Sequence, residues 1–146
     1  MANNYKRILA AIDGAEDTFP VLDRAIELAK QNDAHLDILN VLEVNQFNYN
    51  YGSSVTSDSV IKLTDDTKTI LETLKKQAID AGVNDVKIHM RFGSPKKIIG
   101  KEFPDDHNND LIVLGATGLS AVEKLMVGSV TTYVTGAAKR DVLIVK

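Results

Sequence analysis

Leu111-Ile112-Val113-Leu114-Gly115-Ala116-Thr117-Gly118, followed after nine residues by Gly128-Ser129-Val130, is the stretch on which the fold turns. Leu111 to Leu114 is an unbroken apolar run ending at glycine, the pattern of a strand buried on both faces. Beyond Gly128-Ser129, the spacing of Val130, Tyr133, Val134 and Ala137 predicts a helix. Glycine lets backbone approach a ligand closely and adopt positive φ, and the bare N–H groups at a helix's positive dipole end favour phosphate. Ser129 adds a hydroxyl and an amide to the same place. By loop chemistry alone, turn glycines and a helix cap fit the pattern equally well.

Working outward, Ile8 to Ile12 is a second unbroken apolar run, ending in Asp13-Gly14. Asp17 or Thr18 can cap the next helix, Pro20 suits its first turn, and Leu22, Ile26 and Ala29 carry its face to about Lys30. Leu36 to Val44 is of strand length, and the polar stretch Asn45 to Ser59 after it is expected to be a long surface loop. After a Ser57 or Asp58 cap, Val60, Leu63, Thr67, Ile70, Leu71, Leu74 and Ala78 mark a second helix that Ala81-Gly82 stops. Val86, Ile88, Met90 and Phe92 alternate with Lys87, His89 and Arg91, predicting an edge strand with one apolar and one wet face. Gly93-Ser94-Pro95 leads into a short helix around Ile98 and Ile99. That helix is expected to end near Phe103-Pro104, because proline disfavours helix in its predecessor, leaving Asp105 to Asp110 as a loop. Ser120 and Glu123 have capping-box spacing, and Val142 to Val145 closes the chain as a last strand.

Strands alternating with helices imply βαβ units, a parallel sheet and right-handed crossovers. The expectation is an α/β fold, an open five-stranded parallel sheet with helices on both faces, forming a single domain over residues 1–146. The first and fourth apolar runs belong in the centre and the alternating third at an edge, so the order is 3-2-1-4-5. That order places a switch point between strands 1 and 4, where ligands of open α/β sheets bind. Asp13 leaves strand 1 there, as an acceptor for ribose hydroxyls or an adenine amine, or simply as a turn acid.

The chain's 146 residues, 44% hydrophobic and 25% charged, suit one globular core. A formal charge of −3 and 5% aromatic content argue against nucleic acid and anionic lipid as partners, with Lys75, Lys76, Lys96 and Lys97 read as solvated faces. Cysteine is absent, no apolar run approaches the ~20 residues of a membrane span, and the N-terminal run is too short for a signal peptide, so the cytoplasm is the expected address. His35, His89 and His107 lie far apart without metal-ligand spacing, and no metal site is expected. No nucleophile elbow, Walker A ending or dinucleotide turn occurs, and no catalytic residue is assigned.

Gly115-Ala116-Thr117-Gly118 through Gly128-Ser129-Val130 resembles, complete in spacing, the G-2x-G-9x-G-(S/T) ATP-binding signature of the universal stress protein family. Ile8 to Gly14 resembles that family's first strand and following Asp, Gly93-Ser94-Pro95 its Gly-x-Pro turn, and Asp110 to Gly115 its fourth strand. The resemblance covers essentially the whole chain and implies a Rossmann-like fold of the adenine nucleotide alpha hydrolase type. It implies that Ala11, Asp13 and Val41 line the adenosine end, that Gly115, Ala116 and Gly118 contact ribose and phosphate, and that Gly128, Ser129 and Val130 hold the phosphates, and Ile12 is expected among the nucleotide-binding residues. The implied ligand is ATP, or AMP or ADP, with Mg²⁺ on its phosphates. Ala15 stands where a serine is frequent, with Thr18 as a substitute hydroxyl, and Arg140-Asp141 stands where Cys-Pro often precedes the last strand.

The expected function is nucleotide-responsive regulation by a homodimer paired through the apolar edge strand Val142 to Val145. A slow ATPase and a dimeric module without nucleotide are the alternatives. Neither a phosphate-loop lysine nor an assured general base supports efficient hydrolysis, since Glu123 and Lys124 can face pocket or solvent.

Overall fold

Five parallel strands, β1 (Arg7–Ile12), β2 (His35–Leu42), β3 (Val86–Phe92), β4 (Leu111–Gly115) and β5 (Asp141–Val145), form one sheet in the order β3-β2-β1-β4-β5. The computed structural model describes residues 5–12, 18–43, 57–116 and 128–146. The helices are α1 (Thr18–Asn32), α2 (Ser57–Asp80), α3 (Pro95–Lys97), α4 (Phe103–His107) and α5 (Ser129–Ala137), with a π-helical turn at Ile98–Glu102 joining α3 to α4. The expected strand order is the observed one.

Why β1 reads as an unbroken apolar run follows from its neighbours. Successive strand residues point to opposite faces, and here both faces are covered. Ile8, Ala10 and Ile12 join Leu36, Ile38 and Val113 beneath α1 and α2, which contribute Val21, Leu22, Leu71 and Leu74. Leu9 and Ala11 join Leu39, Ile112 and Leu114 on the other face, with Ile98, Ile99 and Phe103 and with Val134 of α5. At the amino end, the Asp110 carboxylate accepts from the Lys6 and Arg7 amides at 2.8 and 3.1 Å, seating β1 beside the start of β4.

Several local expectations need correction. The third crossover does not end at Phe103-Pro104, and Asp105 to His107 are helical, with Asn108 closing α4 at φ 55° and ψ 38°. The Phe103 amide bonds to Ile98 O, five residues back, and this wider turn brings Pro104 in at the first turn of α4. There its missing N–H costs nothing and its ring escapes the carbonyl it would strike in a continuous α-helix. The supposedly wet face of β3 is covered at His89, which packs on α4. Ile70 is exposed, as are Tyr133 and Ala137 of α5, so those stripes are narrower than their spacing suggested. Thr18, Ser57 and Asp58 lie within their helices rather than capping them, and strand β2 ends at Leu42. Asp13, Asp17, Gly118, Ser120, Glu123, Lys124 and most of the Asn45 to Ser59 stretch lie outside the described residues.

Candidate functional site

β1 and β4 are hydrogen-bonded neighbours, and the helices that follow them, α1 and α5, pack on opposite faces of the sheet, so the crevice beyond their carboxyl ends is the switch point. Gly115 ends β4 beside Val145, and the Ala116 amide donates to Val145 O at 2.9 Å. Ala116 O in turn accepts from the Gly128 amide at 2.7 Å, bringing the two halves of the glycine pattern together. Thr131 Oγ1 donates to Gly115 O at 2.6 Å and pins the first turn of α5 against the end of β4. Sequence reading passed over Thr131, although a hydroxyl two residues beyond Ser129 on a helix start was its signal.

What this arrangement leaves open is a set of donors. Gly128 caps α5 with extended backbone at φ −64° and ψ 157°, and no side chain caps that end. The first bond inside the helix is from the Thr132 amide to Gly128 O, at 3.0 Å, so the amides of Ser129, Val130 and Thr131 precede it and have no intrahelical acceptor. Three adjacent N–H groups at the positive end of a nine-residue helix suit the oxygens of a phosphate. Neither Gly115 nor Gly128 uses positive φ, which occurs among described glycines only at Gly82 and Gly93. Their value here is the missing side chain, which leaves the backbone approachable.

The apolar half of the site is a shared surface. Ala11 is buried in the cluster against which Val41 and Val130 pack, so these three lie on one face. Ile12 faces the opposite core, among residues under α1 and α2, and can offer a ligand only its backbone. Thr18 opens α1 and is buried, with its hydroxyl lacking a hydrogen-bond partner among the described residues. Among the described residues no group of three or more histidine or carboxylate side chains is placed to hold a metal ion.

A second polar cluster escaped the sequence reading. Asp37, fully buried in the apolar run of β2, accepts from His35 Nε2 and His89 Nε2 at 2.7 and 2.8 Å and from Asn109 Nδ2 at 3.0 Å. Burial pushes its carboxyl pKa up, but the bonds from His89, Asn109 and His35 outweigh this and hold it well below the usual carboxylate range. The signal was present: a charge in the middle of a two-sided apolar strand requires partners.

Comparison with known proteins agrees with the geometry. The family model described as the universal stress protein family matches residues 4–146. A Staphylococcus aureus (strain USA300) relative carrying the universal stress protein name is 40% identical over 146 residues, covering 97% of this chain and 84% of the relative. Among solved structures, hypothetical protein MJ0577 superposes with a TM-score of 0.84 at 26% identity, covering 97% of this chain and 96% of its own. A universal stress protein in complex with cAMP superposes with a TM-score of 0.72 at 27% identity, covering 97% and 96%. With the sheet order, the glycine-framed switch point and a match over nearly its whole length, this chain belongs to the universal stress protein family.

Proposed function

We propose that this chain binds ATP, or AMP or ADP, at the carboxyl ends of β1 and β4 and acts as a nucleotide-responsive regulatory protein. The observation that carries this reading is the run of amides at Ser129, Val130 and Thr131, left without intrahelical acceptors behind a side-chain-free Gly128. Phosphate would sit on those amides with the Ser129 hydroxyl, and Gly115 and Ala116 would flank the ribose. Ala11 and Val41 would receive the adenosine end, joined by the Ile12 backbone and by Asp13 and Gly118. Mg²⁺ would ride on the phosphates and neutralise them. The neighbour solved with cAMP supports an adenine nucleotide as the ligand class. The working unit would be a homodimer of single domains, residues 1–146, in the cytoplasm, and among the described residues no helix is long and apolar enough to cross a membrane.

Differential affinity for two states of the glycine loops would make the nucleotide a switch rather than a mere stabiliser. Calorimetric titration of ATP into wild type and Gly128→Val tests the reading. Gly128 has backbone angles that valine can adopt, so the substitution should spare the fold and block approach to the amides. An affinity loss of at least about 100-fold is expected, corresponding to about 2.7 kcal/mol. Equal ATP affinity in the two proteins would remove the proposal. Turnover that disappears in Ser129→Ala would instead favour the slow ATPase.

A further inference from the structure

Around the glycine pattern, four carbonyls could turn a lone pair toward an anion, and each is already engaged. Val145 O accepts from the Ala116 amide at 2.9 Å, and Ala116 O from the Gly128 amide at 2.7 Å. Gly128 O accepts twice from one residue, the Thr132 amide and the Thr132 hydroxyl, both at 3.0 Å. Gly115 O accepts from a side chain, the Thr131 hydroxyl, at 2.6 Å. The paired register of β1 and β4 ends at Ala10 and Val113 while both strands run on, to Ile12 and Gly115, so that last carbonyl stands beyond the final pair, at the crevice. A carbonyl can only accept, so the Thr131 hydroxyl spends its one proton there.

Thr131 is the third residue of α5 and only 4% exposed, so little water competes for its hydroxyl. Its own amide is the last of the three that have no intrahelical acceptor. One residue therefore joins a donor at the helix start to a tie that holds that start in place. With the Gly128 amide on Ala116 O, the tie gives α5 two attachments to consecutive carbonyls at the end of β4. Without the hydroxyl the first turn could pivot about the single remaining bond. The Gly115 carbonyl would also regain an acceptor lone pair, which repels the oxygens of an anion.

We propose that Thr131 is a positioning residue for phosphate. Its hydroxyl takes the Gly115 carbonyl out of play and keeps the amides of Ser129, Val130 and Thr131 in line, so that an anion meets donors rather than lone pairs. The side chain acts through Gly115 and the helix start and needs no contact with the ligand. This inference rests on the nucleotide reading of the same crevice and adds which part of the nucleotide the device serves. The phosphates depend on it, and the adenosine end, received by Ala11 and Val41, does not.

Titration of ATP, AMP and adenosine into the full chain, as wild type, Thr131→Val, Thr131→Ser and Gly128→Val, tests it. Valine keeps the branched shape and removes the donor, and serine keeps the donor. ATP should bind Thr131→Val at least about tenfold more weakly than wild type, AMP with a smaller loss, and adenosine within about twofold. Adenosine binding in that variant reports that the apolar half of the site is intact. Thr131→Ser should bring ATP affinity back to within about threefold of wild type. A loss in Thr131→Val that is the same for every ligand measured, or that serine does not rescue, would mean that Thr131 only supports the fold, and overturns the proposal. Unchanged ATP affinity in Thr131→Val alongside a loss in Gly128→Val overturns it too and leaves the nucleotide site standing. Unchanged ATP affinity in both variants removes the nucleotide reading and this inference with it.

Discussion

At Asp37 a single carboxylate settles the question of what a charge can do inside an apolar strand. It stands between Leu36 and Ile38 in a buried strand, yet both its oxygens accept from donors on β2, β3 and the turn before β4. Asp37→Asn keeps the shape but puts an amide donor where two imidazoles and Asn109 already donate. Removing one partner from a buried charged network costs about 2–4 kcal/mol, and that loss is expected in denaturant unfolding at neutral pH. The sign with pH follows from the depressed native pKa. The carboxylate's contribution is fully present above its unfolded value, about 3.9, and is lost as pH falls below it. Unfolding curves for wild type and variant should therefore stay well separated from pH 7 to about pH 4 and draw together as pH falls further toward the depressed native value. A gap that keeps its size between about pH 4 and about pH 2 would show that Asp37 acts through packing and not through charge.

At the scale of elements, two glycines in the third crossover make opposite predictions. Gly93 has φ +148°, and a Cβ there would stand 3.0 Å from Ile98 Cδ1, so Gly93→Ala should cost about 1–3 kcal/mol. Gly100 lies in the π-helical turn, and a Cβ there would meet Tyr133 Cε1 at 3.5 Å, an ordinary contact. Gly100→Ala should therefore leave thermal stability unchanged or raise it by about 0.5–1 kcal/mol. Calorimetric melting of the two variants side by side checks the contrast, and destabilisation by both would mean that the turn needs its glycine for another reason. This crossover is also where sequence reading failed. Proline was a stop signal only for a continuous α-helix, and nothing local announced the wider turn that admits Pro104. The central strands were legible because two-sided burial writes an unbroken apolar run, and the glycine pattern because its halves close on one another through Ala116 and Gly128. The Asp37 cluster was illegible as a site, since two of its three donors lie 52 and 72 positions away along the chain.

Taken as a whole molecule, the sheet has two edges of different character. β3 presents Lys87 and Arg91, exposed charges that discourage a further strand from pairing. Apart from Asp141 at its start, β5 presents only Val142, Leu143, Ile144 and Val145, each partly exposed, with β4 as its one neighbour. An apolar strand edge left unpaired in water invites aggregation, and two-fold antiparallel pairing of β5 with a second copy would cover both edges at once. Because β5 is also bonded to the Ala116 amide at the glycine crevice, such pairing would brace the nucleotide site of each protomer. The expected outcome is a mass of two chains in light scattering at micromolar concentration, falling to one chain in Ile144→Lys with the circular dichroism of the fold retained. A wild-type protein that stays a monomer under those conditions would leave the β5 edge without the partner its composition calls for.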